Sequence, residues 1–448
     1  MEPRLSGCGQ QRKVWRRARL FHRLREILVG SHQLRLIRQA LLTSLVLAAT
    51  PAVAAPAAQR GPVWKAAAAA RADQLAMLEK LVNIDSGTGD KVSGQKASEF
   101  VAAELRALGM TVELIPAELP TLPDNVVGTL KGTGKGRILI ICHTDTVFEP
   151  GTAAKRPFRI EGTRAYGPGV IDEKGGVIEG IFALKLLKQL GQRGYAQITF
   201  LSETSEERGS PGTRKLIDRL LKDADVELNL EPGDLPDALT VWRKGSTSFK
   251  IDVKGRPSHA GVAPQEGRNA ALELIHQLQL ADSLPKFGQG VTVNLTLMNA
   301  GSRYNIIPED ASATLNVRIR EKKQGEEVDA ILQTNAQNRI IPDTKVTVSH
   351  EASFPPLPTN ASTDALAALA DRIYAAAGMT LVHSGNGGAS ESALSHEAGV
   401  PALDGLGPVG TGSHTEGEFL DLNSLTPRLY LLTSLIIELG KNPPPRVQ

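Results

Sequence analysis

The stretch that most constrains the fold runs from Arg137 to Thr146 and reads RILIICHTDT. Its apolar part does not alternate with polar residues, which is typical of a strand in the middle of a parallel sheet covered on both faces. The stretch then changes abruptly to His143 and Asp145. Because ligands of open α/β sheets bind outside the carboxyl ends of the strands, we predict that this end of the strand belongs to a functional site.

His143 and Asp145 flank Thr144, so in extended geometry their side chains leave the chain on the same side. A carboxylate placed in this way can fix the tautomer of a metal-binding imidazole. Taken alone, the pair fits equally well with a capping aspartate beside a histidine that does no chemistry. The other motifs of the chain must decide between these interpretations.

The positive charge of the chain is concentrated at its N-terminus. The 448 residues carry a formal net charge of +3, but residues 1–55 hold ten Lys or Arg and two acidic residues, so the remainder has a net charge of −5. Nothing in that remainder indicates nucleic-acid binding.

Residues 1–55 are predicted to be a leader that directs secretion, most simply to the periplasm. A short apolar run, Ala40 to Ala49, follows a basic stretch and precedes Ala52-Val-Ala54, which fits a signal-peptidase site. The run is too short for a stable membrane span, so no span is expected after cleavage. The alternative is an uncleaved membrane anchor.

Two cysteines occur in the sequence, Cys8 and Cys142. Cleavage of the leader would remove Cys8, so no disulfide could form within the mature chain. Cys142 lies inside the apolar strand and is predicted to be a small core residue.

Strands and helices alternate through most of the chain, which predicts an α/β sheet. Residues 246–354 differ, because their elements follow the order β-α-β-β-α-β of a ferredoxin-like domain. The simplest domain organisation places this insert between two parts of one larger domain, residues 56–245 and 355–448.

Metal-ligand side chains recur at strand ends and loops of the larger domain, at His143, Asp145, Asp172, Glu206, Glu207, Glu231 and His414. Imidazole and carboxylate are ligands for zinc or a similar divalent ion. Two ions can share one carboxylate and hold a water between them, and of two adjacent glutamates one can bind metal while the other acts as general base. Taken singly, Asp172 reads as a helix N-cap and the glutamate pair as solvent-exposed charge.

Five motifs occur in order between about residues 63 and 442: HTDT, GPGVIDEKGG, SEERGS, LEPGD and GSHTEGEF. As a set they resemble the zinc-dependent exopeptidase family that includes glutamate carboxypeptidase, succinyl-diaminopimelate desuccinylase, acetylornithine deacetylase, aminoacylase and peptidase T. The resemblance implies an α/β zinc-exopeptidase catalytic domain with an inserted ferredoxin-like lid and dimerisation domain.

The resemblance also implies two zinc ions per chain. Asp172 would bridge them, His143 and Glu231 would complete one site, and Glu207 and His414 would complete the other. A glutamate at position 231 is similar to the glutamate carboxypeptidase and desuccinylase members. The same resemblance makes Glu206 the general base and Asp145 the partner of His143.

The insert contributes three further residues by resemblance. His259, in Arg256-Pro-Ser-His-Ala-Gly, would reach the active site of a neighbouring subunit, which implies a homodimer. Asn305 and Arg318 would bind a substrate carboxylate, for which an arginine fork is well suited. One departure is Glu391, which stands where the family usually has an aspartate and so puts the contacts of that loop in question.

These observations predict a two-zinc metallo-exopeptidase that hydrolyses the amide bond before a C-terminal amino acid, most simply glutamate, in a small peptide substrate. One alternative is a deacylase of N-acyl amino acids, and another is a metal-binding homologue without activity. Preference for glutamate needs a second positive group that binds the side-chain carboxylate. We hypothesise that Arg243 or Lys244 is this group. The alternative is that both are solvated charges at the hinge, the segment immediately before the insert.

Overall fold

The computed structural model describes residues 60–282, 284 and 290–446. The predicted leader and its cleavage site lie outside these residues. The helices are α1 Pro62–Val82, α2 Lys91–Ala107, α3 Thr152–Lys155, α4 Lys174–Gln189, α5 Arg214–Leu221, α6 Ala270–Ala281, α7 Lys322–Asn335, α8 Ala361–Ala376, α9 Ser392–Glu397 and α10 Leu425–Lys441. Within the described part of the chain, no helix is both long enough and apolar enough to cross a bilayer.

The strands are β1 Thr111–Ile115, β2 Asn125–Lys131, β3 Arg137–His143, β4 Arg159–Glu161, β5 Arg164–Tyr166, β6 Gln197–Glu203, β7 Val226–Asn229, β8 Ala238–Arg243, β9 Gly245–Lys254, β10 Thr292–Ala300, β11 Asp310–Ile319, β12 Lys345–Ala352, β13 Val382–Asn386, β14 Ala402–Leu403, β15 Gly410–Thr411 and β16 Phe419–Asp421. Short 3₁₀ turns cover Glu206–Arg208 and Pro264–Glu266.

The main sheet has six strands in the order β1-β2-β6-β3-β7-β14. Strand β3 lies inside it and runs parallel to both neighbours, β6 and β7. Its apolar side chains serve two cores, because Ile138, Ile140 and Cys142 pack on one face while Leu139 and Ile141 pack on the other. The prediction of a central strand covered on both faces is confirmed, and Cys142 is a buried core residue as expected.

A second sheet, with the strand order β10-β11-β9-β12, is formed by the predicted insert, and its strands lie between Gly245 and Ala352. Helices α6 and α7 cover one face, and their apolar residues form a separate core with that face of the sheet. The opposite, open face carries the alternate residues of β9 and β11, which are less buried. The ferredoxin-like order is confirmed, and the α/β fold with it.

Two smaller sheets complete the architecture. Strand β13 runs parallel to β8, and β15-β16-β5-β4 form an antiparallel sheet. Asn386 is the last residue of β13 and His414 lies in the loop after β15, so the small sheets bring C-terminal residues to the same edge as the end of β3.

Candidate active site

The functional side chains converge because their elements end at one edge of the main sheet. His143 is the last residue of β3, Glu206 and Glu207 form the 3₁₀ turn after β6, and Glu231 follows β7. The two others reach this edge from outside these strands: Asp172 precedes α4 and His414 follows β15. The carboxyl ends of parallel strands meet at one edge, which is why residues far apart in sequence lie together here.

Asp172 lies between the two histidines. Its Oδ1 is 3.3 Å from His143 Nε2, and its Oδ2 is 3.2 Å from His414 Nε2. Burial disfavours the ionised form of Asp172, but the two histidines outweigh it and lower the pKa of the carboxyl. A carboxylate with one oxygen toward each imidazole is suited to bridge two cations. The simpler interpretation of Asp172 as a helix N-cap is wrong, because α4 begins after Glu173.

His414 makes a second close contact, with Glu207 Oε2 at 3.0 Å. Hydrogen bonding with Asp172 and Glu207 raises the pKa of His414 to about 10. The backbone of His414 has a φ of 67°. Left-handed backbone at a residue other than glycine is costly and is retained at sites where a side chain must be aimed.

The Nε2 atom of His143 is surrounded by carboxylates. Besides Asp172, it lies 3.5 Å from Glu231 Oε1, 3.5 Å from Glu173 Oε2 and 3.9 Å from Glu206 Oε2. The imidazole is fully buried, and this nitrogen has no hydrogen-bond partner. A buried polar atom without a partner is costly, so this crowded position needs a further group.

A divalent cation fits that requirement. His143, Glu173 and Glu231 can offer ligand atoms within 4.8 Å of one another, and so can Asp172, Glu207 and His414. Within these groups, His143 Nε2 and Glu207 Oε1 are buried without a hydrogen-bond partner and could each bind a cation. Nitrogen and carboxylate donors without thiolate match zinc and similar ions.

The pKa values of the carboxyl groups in the site favour a bound cation. Burial raises the pKa of Glu206 well above its ordinary value, and the nearby Glu231 and Glu391 add to that shift. Burial, followed by the charge of Asp172, raises the pKa of Glu207 to about 7. Carboxyl groups that resist ionisation in this way would be ionised by a bound cation.

Asp145 supports the site from behind. His143 Nδ1 lies 3.0 Å from its backbone oxygen and 3.4 Å from its Oδ1. The carboxylate also accepts hydrogen bonds from the backbone amides of Glu206 and Glu207 and from Thr88 Oγ1, at 3.1, 3.3 and 2.6 Å. Asp145 therefore orients the imidazole chiefly through its backbone oxygen, and its carboxylate orients the turn that carries both glutamates.

Arg243 borders the cavity over the candidate metal ligands, but its guanidinium is bonded to carboxylates of the protein. It is 3% exposed, and its Nε and Nη2 donate to the two carboxylate oxygens of Asp404 at 2.7 and 2.6 Å. Nη2 also donates to Glu231 Oε2 at 3.1 Å. The hypothesis that Arg243 binds the substrate side chain stays a prediction, and in the structure its guanidinium holds a candidate metal ligand.

A cavity of about 420 Å³ opens over these residues and is lined by Glu206, Glu207 and His414 on one side and by Arg318 of the insert on the other. His259 and Asn305 are not among its lining residues. They lie together elsewhere on the insert, where Ala260 donates its backbone N–H to the Asn305 carbonyl at 3.0 Å. Of the three insert residues, the structure brings only Arg318 to the metal-ligand groups.

Several residues of the site were not predicted. Glu173 accepts from the backbone N–H of His143 at 3.0 Å, although it follows Asp172 directly in the GPGVIDEKGG motif. Glu391 is buried and accepts from Asn229 Nδ2 at 3.0 Å, and one of its oxygens lies within 4.8 Å of oxygens of Glu206 and Glu231. The longer acid is thus accommodated at the site. Asp404 carried no sequence signal, since its partner Arg243 lies 161 residues away.

The fold and the site together define a metal-dependent hydrolase. The family model described as Peptidase family M20/M25/M40 matches residues 139–438. Carboxypeptidase G2 from Pseudomonas sp. (strain RS-16) is 38% identical over 369 residues, which cover 81% of this chain and 88% of that protein. Succinyl-diaminopimelate desuccinylase from Gluconobacter oxydans is 28% identical over 359 residues, which cover 75% of this chain and 90% of that protein.

Solved structures show the same fold. The M20 family metallo-carboxypeptidase Sso-CP2 from Sulfolobus solfataricus has a TM-score of 0.67 at 16% identity, covering 82% of this chain and 99% of that one. Human carnosine dipeptidase 1 has a TM-score of 0.66 at 17% identity, covering 85% and 99%. The chain belongs to peptidase family M20/M25/M40. It is a hydrolase of the metallocarboxypeptidase kind, so the alternative of a homologue without activity is set aside.

Proposed function

We propose that the protein hydrolyses the amide bond before a C-terminal amino acid, with glutamate as the preferred leaving residue. The observation that supports this most directly is Arg318, a guanidinium in the same cavity as Glu206 and the candidate metal ligands. A carboxypeptidase must bind a free carboxylate beside the scissile amide, and arginine is suited to that contact. The identity with carboxypeptidase G2 supports the same activity.

Glu206 is the proposed general base. Its side chain is buried against the candidate ligands, and its oxygen lies 3.9 Å from His143 Nε2, so it stands beside the reacting position without being needed as a ligand. It would accept a proton from the attacking water and deliver it to the leaving amine. Arg318 would hold the C-terminal carboxylate so that the scissile carbonyl lies over the ligand groups.

Two zinc ions are the proposed cofactor. When bound, they would polarise the scissile carbonyl and lower the pKa of the attacking water. Asp172 would bridge them, with His143 and Glu231 on one side and Glu207 and His414 on the other. Elemental analysis of purified protein should find two equivalents of zinc per chain, and one equivalent or fewer would contradict the bridged site.

A substrate panel tests the reaction. The zinc-loaded protein should release the C-terminal residue from N-acyl-glutamate and from dipeptides that end in glutamate, with kcat/KM higher than for the matching alanine substrates. The alternative predicted from the sequence, a deacylase of N-acyl amino acids, uses the same residues and would show no preference for a peptide-like acyl group. Hydrolysis only of substrates with a blocked C-terminal carboxylate would contradict carboxypeptidase activity.

The active unit is proposed to be a homodimer formed through the insert. His259 and Asn305 lie apart from the cavity, so a neighbouring subunit is the simplest source for them at each site. Apolar side chains exposed on the insert include Val262, Leu297 and Tyr304, which supports a protein contact there. Light scattering of the purified protein measures this directly, and a monomer at working concentration would contradict the proposal.

Export to the periplasm is proposed from the leader alone. The mature protein should begin near Ala55 and should be found in the periplasmic fraction of a bacterial host. N-terminal sequencing checks the cleavage site, and cell fractionation checks the location. Recovery of Arg16 and Arg17 in the cellular form would favour the uncleaved anchor.

A further inference from the structure

Three cationic side chains lie close together where the chain enters the insert, at the hinge. Arg318 on β11 pairs with Ser246 on β9, and both residues line the cavity. The paired register ends one residue later, so Lys244 and Arg320 follow directly at the hinge. Because side chains alternate along a strand, Lys244 and Arg320 fall on the same open face as Arg318. We call Lys244, Arg318 and Arg320 the cationic cluster.

The cationic cluster has no acidic partner. Among the residues that the structure describes, no carboxylate forms an ion pair with any of its three members. Arg318 donates from Nε to the neutral Asn316 amide at 3.1 Å, and Arg320 stacks over the Trp242 ring at 3.5 Å. The Trp242 ring packs on the backbone of Gly385, where an added Cβ would lie 1.5 Å from the ring. This contact holds the ring in position under Arg320.

The members of the cluster are close enough to act on one another. The pKa of Lys244 is lowered first by burial and then by the charges of Arg320 and Arg318. Burial also lowers the pKa of Arg318, and the charge of Glu206 opposes that shift, so Arg318 faces the candidate metal site. Arg318 lines the cavity and the other two members lie next to it, and like charges grouped without counterions favour an anionic ligand.

Arg243 offers a contrast within the same segment. Although it neighbours Lys244 in sequence, it is buried and bonded to Asp404 and Glu231. Of the two candidates from sequence, Lys244 is therefore the one left to meet a ligand, and Arg320 joins it from a different strand.

We infer that Lys244 and Arg320 bind the side-chain carboxylate of an acidic amino acid at the C-terminus of the substrate, while Arg318 binds its α-carboxylate. Residues two apart on a strand are spaced by about 6.7 Å. That spacing suits a ligand with two carboxylates separated by a short chain. The inference rests on the proposed carboxypeptidase activity and specifies its leaving residue.

The test compares N-benzoyl-glutamate with N-benzoyl-glutamine, which have nearly the same shape and differ in side-chain charge. In Lys244→Met and Arg320→Gln, the ratio of kcat/KM for the two substrates should fall about tenfold or more, because a charge-assisted bond is lost. Activity on the glutamine substrate and zinc content should change little. Lys250→Met is the matched control, because Lys250 is on the same face of β9 but pairs with Asp252 at 2.8 Å.

Binding of glutarate, measured by calorimetry, separates this inference from the proposed function. If the wild-type protein hydrolyses both substrates but the ratio is unchanged in both variants, the cationic cluster is not the selector and carboxypeptidase activity stands. If neither substrate is hydrolysed, the proposed function fails, and glutarate binding then tests the cationic cluster by itself. Equal glutarate affinity in wild type, Lys244→Met and Arg320→Gln would show that the cluster is not an anion site.

Discussion

Arg243 and Glu231 are joined by a buried hydrogen bond of 3.1 Å, from Nη2 to Oε2, while the other oxygen of Glu231 lies 3.5 Å from His143 Nε2. The same guanidinium holds both oxygens of Asp404. Arg243 thus aims one oxygen of a candidate metal ligand toward the imidazole and balances two buried carboxylates. This role explains why an arginine beside the hinge is almost completely buried.

Arg243→Ala should weaken both folding and metal binding. Removing one partner of a buried ion pair costs about 3–5 kcal/mol, because the remaining charges are left uncompensated. Urea denaturation of the metal-free protein and a zinc titration measure the two effects separately. Lys244→Ala is the neighbouring control and should unfold like the wild type. Equal stability of Arg243→Ala and wild type would show that the buried pair is dispensable.

Glu206→Gln and Glu207→Gln should have different effects. The amide at position 206 cannot accept a proton, so turnover should be lost while zinc content is kept. The amide at position 207 is a poorer ligand, so zinc content should fall together with the rate. Zinc analysis beside kcat measurements distinguishes them, and loss of zinc from Glu206→Gln alone would reverse the two assignments.

His259→Ala and Glu206→Gln should each be inactive, yet a mixture should regain activity. In a hybrid dimer, one site would combine an intact Glu206 with the His259 of the other chain. Activity is measured after subunit exchange, which is followed with differently labelled chains. Exchange without recovery would show that each chain completes its own site.

Thr88→Val should lower kcat about tenfold with a small effect on zinc content. The substitution removes the 2.6 Å hydrogen bond to Asp145 but leaves the two backbone amides that hold this carboxylate. A hydrogen bond to a charged group contributes about 1.5–3 kcal/mol. Steady-state kinetics check the result against Thr121→Val, an exposed threonine, and an unchanged kcat would mean that Thr88 does not position Asp145.

Arg428→Leu should destabilise the fold without touching the site. Arg428 is fully buried and donates to Asp237 Oδ1 and to the carbonyls of Gly405 and Ala238, at 2.7, 2.6 and 2.8 Å. Leucine leaves these acceptors unpaired, which should cost about 3–5 kcal/mol. Thermal unfolding measures the loss, and a melting temperature equal to that of the wild type would contradict it.

Local sequence determined the order of elements and most of the candidate site. The unbroken apolar run of β3 predicted a strand covered on both faces, and polar residues at the carboxyl ends of parallel strands were expected to meet at one edge. The β-α-β-β-α-β order of the insert followed from its alternating strand patterns and its helical patterns. His143, Glu207 and His414 were therefore predictable from their motifs.

Tertiary structure decided which charges meet. Asp172 could have capped a helix, and only the approach of two histidines from separate elements makes it a shared neighbour. Arg243 and Lys244 are adjacent and similar in sequence, yet Asp404, 161 residues from Arg243, pairs with Arg243 and not with Lys244. Arg320 joined Lys244 only through the pairing of β11 with β9. Ion pairing depends on distance and burial in space, and sequence separation carries no information about either.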